Sequence, residues 1–468
     1  MAFPLWKTKP PLDAPNAGIW IGPAGRSAKD GMWLGSLAEL GPAKMPQVWL
    51  STAKEQVVAV VGKRGSGKSF TLGVIAEGLA LASASPHVSR QVRKRATLLF
   101  DPLDVYWTTR LPVTPSTNEE AHRHFEMAES SNLAQLHFNV EAWVPGTSNR
   151  RSTDPSWFGT LQLPVPLLGL EEWEVLLGVS VMSEPIGQAL ADALALVRTG
   201  YHQSGKHIPG STIFDIPRLI DAVQAGTLAS TYHAESLRAL RQRLSSLHAT
   251  GLFHEGGSSI EQLLAPGRLT VLLLGRLPQS YRAAVVAVVT RMLTDSRSEV
   301  AFAEKRLALD PGLTDEDRQH LEAVISGGVP RTVVALDEAQ TFLAPGLSSP
   351  AREVFVRLVK EGRNLGLSAV LATQQPSAID QRILSQVETF ISHQLVTTAD
   401  IRAVQDNLKS SLPDSIEFGK QEMDVASLLR TIGPGQCFVS SADMNTQVRR
   451  SFVMNVRPRA TVHGGIEL

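Results

Sequence analysis

The sequence predicts an α/β protein built on a mostly parallel sheet, and three observations carry that prediction. Near-continuous apolar runs of strand length recur along the chain, the first at Val57–Val61, and a strand buried on both faces reads this way. A glycine-rich loop, Gly62–Ser69, separates that run from a stretch at helical spacing, Phe70–Leu81. The later runs Thr97–Phe100, Leu269–Leu274, Thr332–Leu336 and Ser368–Ala372 each end in a small or polar residue, namely Asp101, Gly275, Asp337 and Thr373. Ligands of open α/β sheets bind beyond the carboxyl ends of strands, so these endings should converge on one site. Phe390–Val396 is a sixth expected strand.

At 468 residues the chain is too long for one small core, which predicts two or three domains or one with a large insertion. Residues 1–50 carry Trp6, Trp20, Trp33 and Trp49 among short apolar pieces broken by Gly and Pro. They read as a small β-rich, barrel-like module. Between Asp101 and Arg268 strong strand signals are lacking, while Glu171–Val181, Pro185–Gly200, Ile216–Ala225 and Ala234–Ala249 have helical spacing. The expected division is therefore a module at 1–50, a core at 51–105 and 265–468, and a largely helical insertion at 106–264.

No apolar run approaches the ~20 residues that cross a bilayer, and the start of the sequence lacks a secretory signal pattern. With a single cysteine, Cys437, no internal disulfide can form. A cytoplasmic protein without membrane partners is expected. The formal net charge of zero argues against a protein that simply coats DNA. It leaves room for a ring that concentrates positive charge in a channel. The small basic cluster Arg90, Arg93, Lys94 and Arg95 reads as solvated surface. The histidines show no ligand spacing for zinc.

Gly62-Lys63-Arg64-Gly65-Ser66-Gly67-Lys68-Ser69 has the form G-x-x-x-x-G-K-[ST] between a strand and a helix. Gly62, Gly65, Ser66 and Gly67 let the backbone amides turn inward around phosphate, and the helix that opens at Phe70, a residue counted with them as nucleotide-binding, adds positive potential. Lys68 would reach the β- and γ-phosphates of ATP, and the Ser69 hydroxyl would bind Mg2+. Asp337 and Glu338 follow a buried run: the first is placed to hold Mg2+, the second to orient or deprotonate the attacking water. An acidic pair there also caps helices, but the phosphate loop upstream favours catalysis. Gln374 would sit beside the γ-phosphate as a sensor, or else serve as a turn amide before Pro376. Arg363 precedes the Ser368–Ala372 strand, where it is either a finger into a neighbouring subunit's site or a surface arginine.

These segments occur in a familiar order. The phosphate loop, Leu336-Asp-Glu-Ala-Gln340, Glu361-Gly-Arg-Asn-Leu-Gly-Leu367, Leu371-Ala-Thr-Gln-Gln-Pro-Ser377, Leu384-Ser-Gln386 and the closing Arg457-Pro-Arg459 with His463-Gly-Gly465 together resemble the HerA branch of the HerA–FtsK ATPases. The resemblance covers about residues 50–105 and 265–468. It implies a RecA-like P-loop NTPase core with an amino-terminal barrel, assembled as a homo-hexamer. Such a ring translocates double-stranded DNA with ATP and Mg2+, beside a nuclease or a defence effector. It further implies Lys68 and Ser69 on phosphate and metal, Asp337 on Mg2+, Glu338 as base, Gln374 as sensor and Arg363 as trans finger. The family's Gly-Glu-Tyr after Asp-Pro is changed here to Asp101-Pro-Leu-Asp-Val-Tyr106. Two other functions suit the same residues: an ATP-binding ring that scaffolds an effector, and a pump of the conjugation and secretion class. DNA-stimulated hydrolysis separates out the first and membrane fractionation the second.

Overall fold

A computed structural model of the chain describes residues 3–4, 18–23, 30–38, 46–82, 85–91, 94–346, 349–408, 416–418, 421–442 and 449–465. One large sheet organises them. Its parallel part runs in the order Thr389–Ser392, Val57–Val61, Leu367–Thr373, Thr332–Leu336, Ala96–Asp101, Leu269–Leu273, Val140–Pro145 and Phe158–Leu161. From Thr389–Ser392 it continues outward by antiparallel pairings through Gln436–Ala442, Arg449–Val456, Gly31–Leu37 and Gln47–Ser51, and Ile19–Ile21 then pairs with Gln47–Ser51 in parallel.

The period of two along each strand divides the core between the two faces. Val57, Ala59 and Val61 point into one layer with Phe100 and Leu336. Val58 and Val60 point into the other with Leu99 and Ala335. The helix Lys68–Ala80 covers this second face through Leu72, Ile75 and Leu79. Helices Gln279–Leu309 and Pro350–Leu365 pack on each other across the first face. That face also receives the insertion helices Pro185–Thr199, Ile216–Val223 and Ala234–Ala249 through Leu190, Leu219 and Leu244.

Val57–Val61 and Thr332–Leu336 match the sequence expectation to the residue, and the expected sixth strand is shorter, Thr389–Ser392. Two corrections concern the flanks. The segment 106–264 contributes two strands, Val140–Pro145 and Phe158–Leu161, to the central sheet. Val140, Ala142 and Val144 are buried while Glu141 and Trp143 are half-buried, a period-two pattern typical of a strand covered on one side. At the other edge, the described strands within 1–50 do not close on themselves. Gly31–Leu37 pairs with Arg449–Val456 and so extends the core sheet. Trp20 and Trp49 stack there with centroids 5.1 Å apart, and the Arg90 guanidinium lies 4.8 Å from the Trp49 ring centre. Arg95 is not solvated surface: it is buried and bonds Glu55 at 3.0 Å. Trp6 and Arg93 lie outside the described residues. Cys437 is buried. Among the described residues, no helix is long and apolar enough to cross a membrane.

Candidate nucleotide site

The phosphate loop leaves the central strand Val57–Val61 and enters the helix Lys68–Ala80 with Gly65 at φ 74° and Gly67 at φ 104°, a region that favours glycine. At Gly62 a Cβ would collide with the Ser66 hydroxyl and lie 2.7 Å from His393 Cβ, so only glycine fits. Two backbone bonds hold the loop's first turn, from Gly62 N–H to Thr373 O and from Lys63 N–H to Gln394 O. His393 fills the space behind it. It is buried, bonds Thr71 Oγ1 at 2.8 Å through Nε2, and contacts Gln436 O at 3.0 Å through Nδ1. Burial lowers its pKa to about 4, so it stands as a neutral strut.

Parallel pairing brings the ends of neighbouring strands to this loop. Lys68 is buried, with Nζ 2.5 Å from Asp337 Oδ1 and 3.0 Å from Glu338 Oε1. Ser69 Oγ donates to Asp337 Oδ2 at 3.3 Å, and the buried Tyr106 hydroxyl donates to the same oxygen at 2.8 Å. Glu338 has φ 49°, an unusual conformation for a non-glycine residue and one that marks functional sites. Its carboxylate accepts from Gln374 Nε2 at 2.8 Å and from Gln340 Nε2 at 2.6 Å. Burial pushes the Glu338 carboxyl up, but Lys68 and the two amides outweigh it and hold the group below the usual carboxylate range. Burial, with Asp104 and Asp337 nearby, pushes Asp101 up to about 8. The hydroxyl of Ser69 and the carboxylate of Asp337 are hard oxygen donors beside a phosphate loop, the chemistry that suits Mg2+.

Lys68, Ser69, Asp337, Glu338 and Gln374 thus meet, whereas Arg363 lies elsewhere. It is exposed near the end of the helix Pro350–Leu365, lining a cavity of about 200 Å3 with Gln56 and Glu388. Those two residues precede the strands Val57–Val61 and Thr389–Ser392, so Arg363 sits at the amino ends of the strands, opposite its own phosphate loop. The sequence reading missed Tyr106, Gln340 and His393 as site residues. Tyr106 carried a signal, its place after Asp101-Pro102 in the altered motif.

A cleft of about 720 Å3 opens over the loop, within the range of small-molecule sites. One of its walls comes from the segment 457–465, which is anchored on the phosphate-loop helix. Glu77, fully buried, accepts from Arg457 Nη1 at 2.8 Å, Arg459 Nε at 3.0 Å, Thr461 Oγ1 at 2.6 Å, and the Ala460 and Thr461 amides. Burial raises its pKa, but the two arginines outweigh that and hold it ionised. Glu77→Ala removes the one acid that the described residues bring to this cluster and strands two buried guanidinium groups. We expect a loss of ~3–5 kcal/mol, read as a lower denaturation midpoint. A shift of a few tenths would contradict the clustering. Gly73, on the same helix, faces the Arg459 guanidinium, where a Cβ would lie 2.6 Å from Cζ. That guanidinium is fixed by Glu77, Thr109, Thr461 and His463 and cannot swing away. Gly73→Ala gains up to ~1 kcal/mol of helix propensity, but overpacking of ~1–3 kcal/mol should win. Denaturant titration checks the sign.

Fold and site together define a P-loop NTPase of the α/β class. The chain belongs to the family described as "Helicase HerA, central domain", whose model matches residues 48–293, more than half of the 468. Among curated relatives it is similar to the DNA double-strand break repair helicase HerA of Pyrococcus furiosus, 26% identical over 168 residues, which are 34% of this chain and 30% of that protein. It is also similar to the protein of the same name from Sulfolobus acidocaldarius, 25% identical over 153 residues, 32% of this chain and 27% of that one. The match thus spans under a third of these relatives' length. Among solved structures, VirB4 of Thermoanaerobacter pseudethanolicus is 14% identical with 92% of this chain and 97% of that chain covered, at a TM-score of 0.49. The plasmid coupling protein TrwB in complex with ADP and Mg2+ is 13% identical over 94% and 98%, at 0.48.

Proposed function

We propose that the chain is an ATP-driven motor of HerA type that moves double-stranded DNA as a hexameric ring in the cytoplasm, alongside a nuclease or defence effector. The observation that supports this most is the contact of Lys68 with both Asp337 and Glu338 in a chain of the HerA family. In this reading Lys68 binds the β- and γ-phosphates, and Ser69 and Asp337 hold Mg2+, with Tyr106 orienting the aspartate. When bound, the metal neutralises charge that develops on the phosphate oxygens. Glu338, ionised and aimed by Gln374 and Gln340, orients the attacking water and takes its proton. Gln374 reports on the γ-phosphate through its bond to Glu338. Arg363, displaced from its own loop, serves the neighbouring subunit. The division into 1–50, 51–105 with 265–468, and 106–264 belongs to the same proposal, with Gly31–Leu37 of the first segment and Val140–Pro145 and Phe158–Leu161 of the last joined to the core sheet.

Displacement of a third strand from long duplex DNA tests the motor. The purified chain should release the third strand only with ATP and Mg2+, and Lys68→Ala should not. Hydrolysis without displacement would replace the motor with a ring that scaffolds its effector.

A further inference from the structure

The cleft over the phosphate loop has a polar floor, charged Lys68 and Glu338 with the amide of Gln374, and an aromatic wall that the proposed reaction does not use. Three distant segments build that wall. Phe70 follows the loop, His124 comes from the helix Glu119–Ser130, and His463 comes from the segment pinned by Glu77. The Phe70 ring centre lies 6.0 Å from that of His124 and 5.8 Å from that of His463, both edge-on. All three line the cleft.

The orientation of His463 is also set. Arg459 Nη1 lies 3.2 Å from His463 Nδ1. A guanidinium has only donors, so Nδ1 must accept and the ring proton must sit on Nε2. Burial and the nearby Arg459 hold the His463 pKa down to about 4, which keeps this neutral tautomer at physiological pH. His463 therefore presents both an aromatic ring and an N–H donor. A phosphate chain gripped by the loop has no use for such a wall, whereas the nucleotide's base is flat and carries ring-nitrogen acceptors.

We propose that Phe70, His124 and His463 form the nucleobase subsite of this chain, and that Arg459 is a positioning residue that presents His463 to the base. This rests on the nucleotide-binding reading above. It also accounts for the buried Glu77–Arg457–Arg459 cluster, which fixes an irregular segment beside the phosphate-loop helix and so completes the site.

Calorimetric titration of the full chain with ADP and with ribose 5-diphosphate, both with Mg2+, tests this separately from phosphate binding. The chain should bind ADP roughly ten-fold or more tightly than ribose 5-diphosphate, the scale of one stacked base. His463→Ala and His124→Ala should each remove most of that advantage while leaving ribose 5-diphosphate affinity unchanged. Equal affinity of the unaltered chain for the two ligands would overturn the subsite. So would variants that keep the full preference, or that lose both ligands together. Binding of neither ligand to the unaltered chain would instead overturn the nucleotide reading, and the subsite with it.

Discussion

Arg363→Ala chains will hydrolyse ATP ~10³–10⁵-fold more slowly than the unaltered protein while binding nucleotide equally well. The expectation follows from position. Arg363 is exposed at the amino ends of the strands, near Gln56 and Glu388, and the phosphate loop lies at their carboxyl ends. Its guanidinium therefore cannot reach its own phosphate loop, and any part it plays in the reaction is played in a neighbour's site. The turn that carries it is well fixed: the buried Arg297 donates from Nε to Leu365 O at 2.7 Å and from Nη1 to Val329 O at 2.8 Å. Mixing provides the discriminating measurement. Neither Arg363→Ala nor Lys68→Ala chains should turn over alone, but a mixture should recover part of the rate. In the mixture an intact loop from one chain meets an intact arginine from the other. A near-normal rate for Arg363→Ala alone would reduce this residue to a surface arginine.

The second large effect is at Glu338. Glu338→Gln should retain ATP affinity but slow phosphate release by ~10²–10⁴-fold, the range for loss of a positioned general base. The carboxylate is ionised at neutral pH because Lys68 and two amide donors outweigh its burial. It is also aimed by a backbone at φ 49° that ordinary strand geometry would not supply. Glutamine keeps the shape and cannot take a proton. Its amide would also face the Nε2 groups of Gln340 and Gln374, which now donate to the carboxylate, so some local rearrangement is expected. Single-turnover phosphate release, read beside the nucleotide dissociation constant, separates the chemical step from binding. A rate within a few-fold of normal would move the base elsewhere.

How much of this was legible in the sequence depends on distance along the chain. Val57–Val61 and Thr332–Leu336 are buried on both faces, so their apolar character is continuous and local. Lys68 and Ser69, like Asp337 and Glu338, sit where a strand ends and are readable because each motif is contiguous. Val140–Pro145 escaped because Glu141 interrupts its apolar run and Pro145 ends it, and the surrounding helical spacing drew the whole segment toward helix. Tyr106 on Asp337, His393 behind the phosphate loop, and Arg457 with Arg459 on Glu77 are joined only by tertiary packing. No local pattern encodes such partners. Arg457 and Arg459 entered the sequence reading only as part of a family resemblance, and both are buried because a buried acid, Glu77, faces them.

Steady-state phosphate release by the purified chain with Mg2+, with and without long duplex DNA, tests whether this site hydrolyses ATP to act on DNA, as proposed above. We expect turnover that rises several-fold with DNA and vanishes in Lys68→Ala. Turnover indifferent to DNA, or surviving the loss of Lys68, would contradict that proposal.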